Sequence, residues 1–136
     1  MIFDTKIAVV VRSDLAVWQK LNVTSFLSSG LAHSITGIIG DDYEDASGKK
    51  YYPMFKQPVL IFEADANKIR TIYERAANNL VKCAVYTEEL FSTGNDVDNR
   101  AMVKRFPSQD LNLVGLAMCD NRKTIDKIFK GVSLHK

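Results

Sequence analysis

Lys6–Val11 is an apolar run rich in valine, and it stops abruptly at Arg12-Ser13-Asp14. A run of this kind, bounded by charge, reads as a central strand covered on both faces. It delivers two opposite charges to its carboxyl end, the edge where open α/β sheets take their ligands. An amphipathic pattern follows over Val17–Ala32, with Val17, Leu21, Val23, Leu27 and Leu31 as its stripe, Phe26 between them and Gly30 closing the helix. This helix brings Trp18, Lys20 and Asn22 near the same edge. The opening of the chain thus gathers groups able to bind or catalyse within a short stretch.

The rest of the chain alternates in the same way. Ile35–Tyr52 is a polar excursion with a hairpin around Ala46-Ser47-Gly48, followed by Pro53. Gln57–Glu63 is the second strand, with Pro58 near its start, and Asp65 caps a helix running to Asn79. Val81–Tyr86 is the third strand. Thr87–Phe91 forms one helical turn, and Asn95 or Asp96 caps a helix through Arg105. Leu111–Met118 is a strand whose central Gly115 marks close approach of a backbone or a ligand. Asn121–Phe129 is the last helix, ended by Gly131, and Val132–Leu134 adds a short final strand. Alternating strands and helices over 136 residues predict one α/β domain, residues 1–136, with a mixed sheet of four or five strands and helices on both faces.

Charge argues against a general nucleic-acid binder, since the net charge is only +2. Arg100–Lys136 carries 8 basic against 3 acidic residues, but these are spread out and no aromatic platform alternates with them. Only weak, nonspecific tRNA binding is expected. Cys83 and Cys119 lie in apolar runs, without the spacing of a metal or redox motif, as in a reduced cytoplasmic protein. No run approaches the ~20 apolar residues of a membrane span, and the N-terminus lacks the marks of a signal peptide. The acidic run Asp41–Asp45 lacks the glycine and the terminal glutamate of a calcium loop. No phosphate-binding glycine loop or zinc signature is present either, so no metal and no cofactor is expected.

Two polar constellations remain. Arg12 and Asp14 form a strand-end charge pair able to grip an anion, and Lys20 stands one turn into a helix, where it could steady a developing negative charge. The second comprises Thr87, Glu88, Glu89, Thr93, Asp96, Asn99 and Arg100, with Thr87 and Glu88 directly at a strand end. Trp18 reads as a packing residue, and Asn22 as lining a cleft or facing water. A patch made of Tyr51, Tyr52 and Phe55 would point to a homodimer.

At VVRSDL followed by WQKLNVTSFLSSG the chain resembles the small bacterial domain-of-unknown-function family numbered two thousand. The blocks YYPMFKQPV, YTEELFSTGND, LVGLA and DKIFKGVSLH extend the likeness over nearly the whole length. The resemblance implies the fold of class II peptidyl-tRNA hydrolases, a three-layer α/β/α domain, with no activity assigned. Hydrolases of that class begin with a strand ending in Arg-x-Asp-Leu, matched by Arg12, Asp14 and Leu15. Their catalytic lysine follows a glycine, and Lys20 takes that place with Gln19 for the glycine. Their Asp-Ala-Gly-x-Thr-Gln block falls at Tyr86–Phe91, where the aspartate is absent and Thr93 stands for the threonine. The resemblance therefore covers the fold and half a site.

The expected function is a domain binding a small anionic or nucleotide-like ligand through Arg12, Asp14, Lys20, Asn22, Thr87 and Thr93. Arg12, Lys20 and Thr87 should then converge within ~10 Å of one point, the scale of a small-molecule pocket. The alternative is a peptidyl-tRNA hydrolase-like hydrolase of an ester or amide with a rebuilt site drawn from Lys20, Asp14 and Glu88. A homodimeric interaction module is a third class.

Overall fold

A computed structural model of the chain describes residues 1–136. The elements in chain order are β1 (Thr5–Arg12), α1 (Val17–Ser34), β2 (Tyr43–Glu44), β3 (Lys50–Tyr51), β4 (Val59–Ala64), α2 (Ala66–Asn78), β5 (Ala84–Thr87), α3 (Asp96–Lys104), β6 (Leu113–Asn121), α4 (Arg122–Ile128) and β7 (Ser133–Leu134). A 3-10 turn over Glu88–Ser92 follows β5. Five strands form one mixed sheet in the order β5-β6-β1-β4-β7, and β2 and β3 form a separate hairpin. β1 lies parallel to β4 and antiparallel to β6. Its residues Ile7–Val10 have no solvent exposure, as the valine-rich run requires.

Each face of the sheet has its own core. Ile7, Val9 and Val11 pack with Val23, Leu27 and Leu31 of α1. Ala8 and Val10 pack with Ile69, Ile72 and Ala76 of α2 and Ile125 and Ile128 of α4. The period-two alternation of β1 therefore feeds two helix layers. The caps read from the sequence are made: Asp65 accepts from the Lys68 amide and Asn95 from the Asp98 amide.

Three features differ from the sequence reading. The helical stripe of α1 is narrower than expected, with only Val23, Leu27 and Leu31 buried, while Val17 and Leu21 face solvent at 74% and 65% exposure. At 3.6 residues per turn Leu21 and Val23 lie about 200° apart, so both cannot face one sheet. Gly30 does not close α1, which runs on to Ser34; a Cβ there would meet the Ala84 Cβ at 3.4 Å, so Gly30 lies where α1 crosses β5. The close approach at Gly115 is to a helix. A Cβ at that position would fall 2.5 Å from Val23 Cγ1 and 3.0 Å from Leu27 Cδ1, so the missing side chain lets α1 rest on β6.

Candidate functional site

The carboxyl ends of β1, β4 and β5 share one edge of the sheet, with the start of β6 between them. Arg12 ends β1 there with its side chain 13% exposed. Its Nε donates to Asp14 Oδ1 at 2.6 Å, its Nη2 to Glu88 Oε1 at 3.3 Å and its Nη1 to Asn112 Oδ1 at 3.4 Å. Asn112 Nδ2 donates to the second oxygen of Glu88 at 2.6 Å. Burial works against the charge on Arg12, and the two carboxylates outweigh it and hold its pKa above the ordinary value. This guanidinium is committed to its own chain. It ties β1 to the segments following β5 and preceding β6, and its strongest donors already have anionic partners.

Lys20 lies elsewhere. Its ammonium donates to His135 Nε2 at 3.0 Å and stands 3.9 Å from Glu63 Oε2, and His135 Nε2 is 3.4 Å from the same oxygen. His135 Nδ1 lies 2.9 Å from the Lys136 carbonyl, which suits a proton on Nδ1 and leaves Nε2 free to accept from Lys20. The trio joins α1, the end of β4 and the residue after β7. The His135 amide, donating to the Ile61 carbonyl at 2.8 Å, pins the chain end to β4.

Two adjoining cavities lie on the α1 side, between α1 and α3, over β5 and the 3-10 turn. One half is a cavity of about 450 Å³ lined by Trp18, Asn22, Phe26, Tyr86, Phe91 and Thr93 among others. It continues into a second of about 520 Å³, reaching Gly30, Ala84, Arg100, Val103 and Lys104. Phe26, Tyr86, Leu90, Asp96 and Asn99 line both, so the two form one groove. Its walls follow from helical spacing. Trp18, Asn22, Phe26 and Gly30 recur every fourth residue on α1, and Asp96, Asn99, Arg100, Val103 and Lys104 make one stripe of α3.

The first half has an aromatic row. Trp18 stands edge-on to Phe91 at 5.9 Å, Phe91 lies 5.2 Å from Tyr86, and Tyr86 meets Phe26 edge-on at 5.8 Å. Trp18 is nevertheless 62% exposed and Phe26 51% exposed. Asn22 Nδ2 reaches the Tyr86 hydroxyl at 3.5 Å. Burial raises the Tyr86 pKa against that contact, so the phenol keeps its proton. Thr93 Oγ1 donates its one proton to the Leu90 carbonyl at 2.9 Å, so the Asn99 side-chain amide beside it meets that oxygen as a donor, through Nδ2. Asp96 pairs with Arg100 across one turn of α3.

The expected site residues are therefore dispersed. Asn22 and Thr93 line the groove, whereas Arg12, Asp14 and Glu88 form the strand-end network and Lys20 joins His135 and Glu63. Arg12 and Lys20 share no partner, and Thr87, only 1% exposed, lines neither half of the groove. Of the three residues expected to share one pocket, none lines the groove: Arg12 belongs to the strand-end network, Lys20 to the set with His135 and Glu63, and Thr87 is buried. The reason is the register: Arg12 pairs with Ala64 on the α2 side, whereas Glu63, one residue earlier, faces α1 and Lys20. Trp18, read as a packing residue, and Phe26, read as lying between the stripe residues, prove to be exposed groove residues. The fourfold spacing from Trp18 to Gly30 was the signal for them. His135 had none, because only the pairing of β7 with β4 brings it to Lys20.

Tyr51 and Tyr52 are exposed at 48% and 91%, while Phe55 is half-buried and packs against the α1-side core. Burial pushes the Cys83 thiol up to about 11, far from the range of a reactive nucleophile. No helix is long and apolar enough to cross a membrane.

A family model for proteins of unknown function, DUF2000, matches residues 5–136. The chain is 44% identical to a protein of unknown function from Agrobacterium tumefaciens strain C58, whose solved structure superposes with a TM-score of 0.96 over 99% of this chain and 100% of that one. None of the curated proteins matches it. With the match running from the first strand to the last residue, the chain belongs to the DUF2000 family.

Proposed function

We propose that this protein binds a small nucleotide-like ligand in the groove between α1 and α3, with the planar part of the ligand stacked at the Trp18 end. One observation carries the reading: the single tryptophan of the chain is 62% exposed at the mouth of a cavity of about 450 Å³, on a row of three further aromatic rings. Packing alone would bury such a ring; aromatic faces left open beside amides suit a flat, polar ligand. Asn22 and Asn99 offer amide groups to the edge of a ring. Trp18 also reports on the site. Adenosine or AMP should quench its fluorescence saturably, and Asn99→Ala should shift the curve; a flat titration with every nucleoside and nucleotide tried would sink the reading.

A second reading, hydrolysis of an ester or amide in a class II peptidyl-tRNA hydrolase-like fold, is favoured by Lys20. That lysine is held 3.0 Å from an imidazole and 3.9 Å from a carboxylate beside the carboxyl edge of the sheet. The Arg-x-Asp-Leu ending of β1 supports the fold likeness, although Arg12 is engaged by carboxylates. Turnover of an acylated tRNA that Lys20→Ala abolishes would promote this reading above the first. Two unpaired cysteines support a reducing, cytoplasmic setting.

A further inference from the structure

We infer that the ligand of the groove is a nucleoside monophosphate, with Arg100 and Lys104 reading its phosphate and Asp96 its sugar hydroxyls. The inference rests on the binding reading above and adds the chemical class. The groove is polarised along its length. At one end stand Trp18 and Phe91, with no cationic side chain among the lining residues. At the junction of the halves are Asp96 and Asn99, and in the second half Arg100 and Lys104. Asp96 and Lys104 are eight residues apart on α3, about 12 Å along the axis, so aromatic, acidic and cationic groups follow one another along one ligand-sized channel.

The order of groups matches the order of parts in a nucleotide: a flat base, a sugar with adjacent hydroxyls, then an anion. A carboxylate accepts from both hydroxyls of a diol, and a guanidinium presents paired donors to phosphate oxygens. Asp96 and Arg100 pair with each other in the empty groove. That pair is exposed, with side chains 76% and 69% accessible, so it costs little to separate. A nucleotide would give each member a new partner, the diol for Asp96 and the phosphate for Arg100. A nucleoside offers only the first exchange and would leave Arg100 without its carboxylate. The groove therefore favours the phosphorylated form.

The experiment titrates the full chain with adenosine, AMP and inorganic phosphate, following Trp18 fluorescence and the heat of binding. AMP is expected to bind at least about tenfold more tightly than adenosine, the effect of one charge-assisted contact. That advantage should shrink as salt is raised, since both cations are exposed. Arg100→Gln with Lys104→Gln should erase the advantage of AMP over adenosine, with adenosine itself bound as tightly as before or more tightly, since its diol no longer displaces Arg100 from Asp96. Equal binding of AMP and adenosine by the native chain, or an AMP advantage that survives the double substitution, would overturn the assignment while leaving the binding reading intact. So would inorganic phosphate binding as tightly as AMP, because a free anion would then suffice. Failure of all three ligands, and of the other nucleosides and nucleotides, would instead remove the binding reading itself.

Discussion

The Arg12 network and the α1–α3 groove are both rich in polar groups, and they differ in what those groups have left to offer. In the network, one guanidinium meets two carboxylates and an amide from three segments of chain. In the groove, four aromatic rings and two side-chain amides line open space. A strand-end arginine is a good candidate for a ligand contact only while it is free. Once its donors are taken within the chain, the same residue becomes a cross-link, and the capacity to bind lies where contacts are unfinished.

Substitutions break this contrast from either side. The largest effect is expected at Gly115, which lets α1 form the inner wall of the groove. Gly115→Ala places a Cβ 2.5 Å from Val23 Cγ1, and overpacking of this kind costs about 1–3 kcal/mol. Denaturant unfolding should show that loss, and binding should weaken with it because the wall moves.

Arg12→Ala tests the network alone. It removes donors to Asp14, Glu88 and Asn112, and stability should fall by about 1–2 kcal/mol, moderated because both carboxylates can hydrate. The affinity measured at Trp18 should stay the same. A fall in affinity without loss of stability would return Arg12 to the binding site.

Trp18→Ala is the mirror image. An exposed side chain contributes little to folding, so the unfolding free energy should stay within about 0.5 kcal/mol of native. Calorimetric affinity for the nucleotide should drop about tenfold or more, which is about 1.4 kcal/mol. Loss of stability with unchanged affinity would make Trp18 the packing residue that its type suggests.

The smallest effect lies outside both regions. Leu80 follows α2 with φ of 58° and is 93% exposed. A leucine in the left-handed region is strained, so Leu80→Gly should stabilise by about 0.5–1 kcal/mol, the relief being reduced by glycine's extra chain entropy. Thermal unfolding measures it, and binding should not change. An altered affinity would show that α2, on the opposite face of the sheet, communicates with the groove.

Local signals sufficed for much of the fold. Asp65 and Asn95 cap the helices they precede, Gly48 turns the β2–β3 hairpin, and Pro58 stands just before β4, all through interactions within a few residues of chain. Asn22 stands out as a polar residue within the helical pattern of α1, and Thr93 directly follows the 3-10 turn; both line the groove. Which side of a helix faces the sheet was harder to read. Val17 and Leu21 are as apolar as Val23 and Leu27, and nothing in their spacing says which pair β6 will cover.

The sequence by itself determined the buried central strand, the alternation of strands and helices and the caps that end them, since propensity, periodicity and capping act over one or two turns of chain. Only the tertiary structure decided which polar groups were already satisfied. Arg12 meets Asn112 and Glu88 across 100 and 76 residues, and Lys20 meets His135 across 115. Those pairings depend on strand order and register, and a shift of one residue would have sent each side chain to the other face of the sheet.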